Sequence, residues 1–176
     1  MSESTKKHKS AAHKQLNFAV FVCSTSRYRE VQKGDRISDI SGDTIEALLS
    51  NAGHKVLLRK IITDEKRMIE EALHTVLSSV ELDAAIFCGG TGIAPRDITI
   101  ETVKPFFEKT LPGFGEIFRR LSYEKMGSAA IMSRALAGVA KGKVLFCIPG
   151  SPDAVIVSVE TLILPEAPHI VRHARE

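Results

Sequence analysis

The sequence predicts an α/β fold, a mainly parallel sheet with helices on both faces. Three observations predict it. Short, continuous apolar runs alternate with stretches whose apolar residues recur at helical spacing. A glycine-rich turn follows one of those runs. The chain has 176 residues, 44% of them apolar, with only 12 glycines and 7 prolines, which suits a single domain able to bury most of its apolar surface. Residues 1–15 read as a flexible basic tail and 16–176 as that domain.

In chain order, LNFAVFVCS reads as a buried strand, followed by a loop. Residues 41–52 then carry Ile45, Leu48, Leu49 and Ala52 on one helical face, stopped by Gly53. KVLLRKII is a second strand. Residues 64–80 place Met68, Ile69, Ala72, Leu73, Val76, Leu77 and Val80 on one helical face. DAAIFCGG is a third, fully apolar strand. This alternation implies right-handed crossovers, and parallel sheets hold ligands beyond the carboxyl ends of their strands. Residues 99–125 read as two helical pieces broken at Pro112-Gly113. AAIM, ALAGVA and KVLFCI read as short strands, or as one helix plus strands, and Lys141-Gly142-Lys143 marks a hairpin with one antiparallel pair. Ser151 suits a helix cap with Pro152 in the first turn, and Pro165 and Pro168 interrupt that helix before HIVRHARE.

The net charge of +3 comes from the tail, where Lys6, Lys7, Lys9 and Lys14 face Glu3, leaving twenty basic and twenty acidic residues in the body. A neutral body without tryptophan argues against a dedicated nucleic-acid surface. The tail is too polar for a signal peptide, and no apolar run approaches spanning length, so a cytoplasmic protein without a membrane partner is expected. Cys23, Cys88 and Cys147 each end an apolar run and read as buried, reduced thiols near one another at one edge of the sheet. No second Cys or His follows a cysteine at ligand spacing, so zinc is not expected there, and the six histidines are scattered with no Ser or Cys elbow nearby.

Three features fall just after predicted strands: Thr63-Asp64-Glu65, the stretch from Gly89, Gly90, Thr91 and Gly92 to Asp97, and Pro149-Gly150-Ser151. Glycines at 89, 90 and 92 admit left-handed backbone and let amides approach an anion, for which phosphate is the usual ligand. The turn matches neither the Walker pattern nor GxGxxG. Asp64 and Asp97 could form a carboxylate pair for Mg²⁺, which takes few acids and keeps waters and substrate phosphates. Asp64 also reads as a plain first-turn acid capped by Thr63, and Asp97 as a turn residue. Pro149-Gly150-Ser151 offers amides at a helix start or simply a cap. Ser133-Arg134 offers a hydroxyl and a planar guanidinium or simply surface.

GGTG (89–92), PRD (95–97), LPGFGE (111–116), MSR (132–134) and PGSP (149–152), in this order, resemble the MoaB/Mog family of molybdenum-cofactor biosynthesis proteins, from LNFAVFV to the C-terminal helix. The resemblance implies a three-layer α/β/α sandwich with a mixed sheet, assembled as a trimer or hexamer. It implies transfer of AMP from Mg-ATP to the terminal phosphate of molybdopterin, with pyrophosphate released and the product passed to a molybdate or tungstate insertase. The alternative it leaves is a non-catalytic molybdopterin carrier. On this resemblance Asp64 and Asp97 are the Mg²⁺-holding catalytic acids. Gly89, Gly90, Thr91, Gly92, Ser133, Arg134, Pro149, Gly150 and Ser151 bind substrate and nucleotide, with Arg96 available to neutralise charge. One departure stands out: Ser24-Thr25-Ser26-Arg27 replaces the Ser-Asp-Thr-Arg of many members, so Thr25 stands where an acid is expected, although Arg27 still suits an anion.

Overall fold

The computed structural model describes residues 15–34 and 38–176. The basic tail therefore lies, apart from Gln15, outside the described residues. Six strands form one sheet in the order β2-β1-β3-β6-β5-β4: β1 (Asn17–Cys23), β2 (Lys55–Ile62), β3 (Ala84–Cys88), β4 (Lys109–Thr110), β5 (Leu136–Ala140) and β6 (Lys143–Ile148). The first four in that order run parallel; β5 pairs antiparallel with β6, and β4 antiparallel with β5, so that only β5 among the six is reversed. Two antiparallel pairings thus replace the one expected. The hairpin sits where the sequence placed it, with Lys141 (φ 49°) and Gly142 (φ 69°) both left-handed, the geometry that matches strand twist.

Strand alternation sorts the apolar residues between two faces. Phe18, Val20, Ile86 and Phe146 pack with Ile45 and Leu49 of α2 (Ile40–Asn51) and with Val155, Val159, Ile163, Ala167 and Val171 of the C-terminal helix. Ala19, Phe21, Phe87 and Leu145 pack on the other face with Ile69, Leu73 and Val76 of α3 (Lys66–Ser78). Helices on both sides of one sheet make the α/β/α sandwich. β1, β3 and β6 are covered on both faces, which is why they read as unbroken apolar runs.

Several details depart from the expected elements. A further helix, α1 (Thr25–Gln32), occupies the expected loop; it buries no side chain, so it leaves no apolar period to detect. α3 ends at Ser78 because the Ser79 hydroxyl accepts from the amides of Glu81 and Leu82, which leaves Val80 98% exposed and off the buried face. Pro112 opens α5 (Pro112–Met126) and breaks nothing, since a first-turn residue needs no amide hydrogen. Before it lie α4 (Thr99–Val103) and the two-residue β4.

The C-terminal helix α6 (Pro152–Ala174) runs unbroken through both prolines. Its middle, Val157–Ile163, is π-helical, and Pro165 falls in the first turn of the α-helical segment that follows. At 23 residues this helix is long and apolar enough to cross a membrane, contrary to expectation, yet its apolar face forms the core described above. The three cysteines are free and buried. As expected they sit near one another, at or next to the carboxyl ends of the adjacent strands β1, β3 and β6, with Cys88 on one face and Cys23 and Cys147 on the other.

Candidate functional site

β1 and β3 are neighbours, but the chain leaves β1 toward β2 at one edge and β3 toward β4 at the other. A crevice opens at such a switch point, beyond the carboxyl ends of the strands. The segments after β1, β2, β3 and β6 all meet there.

Glycine is required twice in the turn after β3. Gly89 has φ 104°, and a Cβ there would sit 2.5 Å from the backbone oxygen of Cys23. Gly90 has φ 62°, and a Cβ there would press on the Thr99 hydroxyl and lie 3.7 Å from Asp64 Oδ1. Thr99, fully buried, secures this conformation: its hydroxyl donates to Gly89 O at 2.9 Å and its amide to Gly90 O at 2.9 Å. Gly150 packs on the same turn, since a Cβ there would lie 3.3 Å from Gly89 Cα. The Cys88 thiol donates to Pro149 O at 3.6 Å, and burial pushes its pKa up to about 12, so it is no nucleophile at neutral pH.

Asp64 does not lie in the first turn of α3. Glu65 takes the N-cap position without a side-chain bond, and Asp64 stays in the connection from β2. Thr63 caps nothing, because its buried hydroxyl has no hydrogen-bond partner. Thr25 and Asp64 hold each other instead. The Asp64 amide donates to Thr25 Oγ1 at 3.1 Å, and the Thr25 amide approaches Asp64 Oδ2 at 3.4 Å. Asp64 Oδ1 is buried with no hydrogen-bond partner, facing the Gly90 turn. A buried carboxylate oxygen left bare costs free energy, so its retention points to a missing ligand.

At the far end of the loop, Asp97 Oδ2 accepts from the Ala94 amide at 2.9 Å, and a Cβ on Gly92 would lie 2.6 Å from it. The two aspartates therefore flank Gly90-Thr91-Gly92 from opposite ends. Among the described residues no group of three or more His, Cys, Asp or Glu could hold a metal. Arg96 is exposed. Ser151 is at the N-cap of α6 but its side chain makes no capping bond, so its hydroxyl is not spent on the helix.

Arg134 has partners other than the expected ligand. Its Nε donates to Thr91 O at 2.9 Å, and its Nη1 and Nη2 grip Glu101 at 2.6 and 3.2 Å, with Nη2 also 3.4 Å from Asp97 O. The guanidinium is thus a strut under the glycine turn, and its neighbour Ser133 is half-buried. Sequence reasoning also missed Ser41, which donates from α2 to Gly150 O at 2.8 Å, and buried Asp39, which caps α2 and binds Arg59 at 2.6 Å. Arg27, read as suited to an anion, instead lies 3.8 Å from Asp39. The Asp39 cap is local and could have been read from the sequence, whereas the Ser41–Gly150 and Asp39–Arg59 pairings join residues far apart in it.

The hydrogen bond from Arg134 holds the Glu101 carboxyl below its ordinary pKa. A depressed carboxylate stabilises the fold above its unfolded pKa of about 4.3, and that contribution disappears as pH falls through the lower folded value. We therefore expect the stability gap between wild type and Arg134→Met to shrink as pH drops below about 4.3, measured by urea denaturation. Both side chains are partly exposed, so the gap at pH 7 should be near 1 kcal/mol or less for the ion pair alone. A gap independent of pH would show that the pair contributes nothing.

Residues 19–169 match the family described as the probable molybdopterin binding domain. The chain is 42% identical over 174 residues to the molybdenum cofactor biosynthesis protein B of Bacillus subtilis, covering 98% of each chain. It is 42% identical over 173 residues to a Pyrococcus furiosus protein named molybdopterin adenylyltransferase, covering 96% of this chain and 97% of that one. The crystal structure of the tungsten cofactor synthesizing protein MoaB from the same organism superposes with a TM-score of 0.81 at 41% identity, over 93% of this chain and 99% of that one. The motifs and the sandwich agree with these matches: the chain belongs to the molybdopterin-binding family that includes the MoaB proteins.

Proposed function

We propose that this chain is a molybdopterin adenylyltransferase of molybdenum or tungsten cofactor biosynthesis, as the name of its Pyrococcus furiosus relative suggests. The observation that carries the reading is the bare, buried Oδ1 of Asp64 beside a glycine turn able to take phosphate. Asp64 and Asp97 suit Mg²⁺, which needs few protein carboxylates and completes its shell with water and phosphate oxygens. When bound, the ion would neutralise charge on the transferring phosphate.

The chain's own residues then position and neutralise. An oxygen of the molybdopterin phosphate attacks the α-phosphorus of ATP, forming a new P–O bond. The bond to the bridging oxygen breaks, and pyrophosphate leaves with its electron pair. No protein nucleophile is required, and the buried thiols offer none. Amides of the Gly89–Gly92 turn and of Pro149-Gly150-Ser151, with the Ser133 and Ser151 hydroxyls, hold the phosphates in line, while Arg134 keeps the turn in place. Assembly as a trimer or hexamer and transfer to an insertase belong to the same proposal. Exposed Tyr123, Met126, Ile131 and Met132 give apolar surface for assembly. The cytoplasm, where ATP and Mg²⁺ are supplied and thiols stay reduced, is the compartment that fits.

The test is pyrophosphate release from ATP in the presence of molybdopterin and Mg²⁺, with adenylylated molybdopterin formed in equal amount. Tight molybdopterin binding without any pyrophosphate would replace the enzyme with a carrier. Thr25 serves as a positioning residue for Asp64. Thr25→Val should lower kcat about tenfold with KM for ATP little changed, and Thr25→Ser should restore it, because only the hydroxyl holds the Asp64 amide. Equal loss in both variants would assign Thr25 a packing role.

A further inference from the structure

The last turns of α6 carry an arrangement that adenylyl transfer does not use. His169 and His173 stand one helical turn apart, with their Nε2 atoms 2.9 Å from each other. The other nitrogen of each ring is already taken: His169 Nδ1 meets Glu166 Oε2 at 3.4 Å, and His173 Nδ1 meets Glu176 Oε2 at 2.9 Å. An ionised carboxylate only accepts, so each Nδ1 carries the ring hydrogen. In a neutral ring Nε2 then holds a lone pair. Two lone pairs facing each other at that distance repel unless a positive centre lies between them.

We propose that His169 and His173 form a binding site for one divalent late first-row metal ion, of the class of Ni²⁺, Cu²⁺ and Zn²⁺. Neutral imidazole is the ligand these ions favour, in the affinity order that peaks at Cu²⁺. The carboxylates on both Nδ1 atoms are the outer partners that metal-binding histidines usually have, and they fix the tautomer that presents Nε2. Glu176 is itself held by Arg172, whose Nε donates to Oε1 at 2.9 Å. At metal–nitrogen distances of about 2.0–2.1 Å, nitrogens separated by 2.9 Å subtend about 90°, which suits adjacent corners of an octahedral or tetragonal site. Water completes the shell, since the two side chains are 26% and 52% exposed.

This site is separate from the phosphate crevice, lying roughly 25 Å along α6 from Ser151. An ion there would clasp the final turns of the helix that supplies much of one core face. The reading does not depend on adenylyl transfer, and its test does not use activity.

The experiment is calorimetric titration of the tag-free, full-length protein with NiCl₂ at neutral pH. One ion per chain is expected. His169→Ala and His173→Ala should each weaken binding at least tenfold, and Glu176→Gln by about tenfold through loss of the outer partner. His173→Gln should behave as His173→Ala does, and the metal-free melting temperature of both should match wild type because His173 is exposed. A double variant, His8→Ala with His13→Ala, should bind as wild type does. The proposal is overturned by absence of saturable binding, which would leave a shared proton between the rings, by unchanged binding in the His173 variants, or by loss of binding in the tail variant.

Discussion

Asp64→Asn should reduce adenylyl transfer by about 10²–10³-fold, the scale seen when one preorganised electrostatic partner is removed from a reacting phosphate or oxyanion. The substitution keeps the shape of the side chain and removes its charge. Its stability effect should be small, within about 1 kcal/mol, because Oδ1 has no hydrogen-bond partner to lose and the Thr25 hydroxyl still holds the backbone amide of residue 64. An unpaired buried oxygen is a local liability, and sites of chemistry commonly give up stability in this way. Pyrophosphate release read beside thermal melting separates the two effects. Melting unchanged with activity lost is the expected pair of results. An Asp64→Asn enzyme within a few-fold of wild type would remove Asp64 from the mechanism and, with it, the observation on which the proposed function stands.

Gly89→Ala should be the most damaging single methyl in the chain. The backbone at φ 104° lies where an L side chain is strained, and the added carbon would meet the Cys23 carbonyl at 2.5 Å. That oxygen belongs to the end of β1, packed on both faces, so neither partner can swing aside. Strain and overpacking together should cost about 3 kcal/mol, which for a domain of this size lowers the melting temperature by roughly 6–12 °C. Activity should fall further than stability, because β1 and β3 would be pushed apart at the crevice. Gly113→Ala supplies the control: nothing lies within 4 Å of its added carbon and its φ is not left-handed, so melting should hold or rise slightly. Gly89→Ala melting with wild type would mean that the turn relaxes freely and is not held as described.

The strands of the sheet were legible because burial on two faces writes itself as a continuous apolar run, as in Ala84–Cys88 and Lys143–Ile148. α2 and α3 were legible because each buries one stripe. What left no stripe was missed. α1 buries nothing, and β4 is two exposed residues paired with β5. Pro165 and Pro168 were read as interruptions because the local rule against proline knows nothing of the π-helical turn before them.

The candidate site divides in the same way. Glycines, acids and the PGSP turn announce themselves because their chemistry is local: backbone freedom, charge, a helix start. Thr25 is 39 residues from Asp64, Arg134 is 43 from Thr91, and Ser41 is 109 from Gly150, so no local pattern could couple them. The sequence by itself determined the α/β class, the apolar strands and the identity of the family, because short-range periodicity and motif order are properties of the chain. Only the tertiary structure decided that Arg134 props the glycine turn, that Thr25 and Asp64 lock together, and that Asp64 keeps one oxygen bare. Hydrogen bonds between distant residues exist only after the sheet has assembled, and burial of a polar atom is defined by everything packed around it.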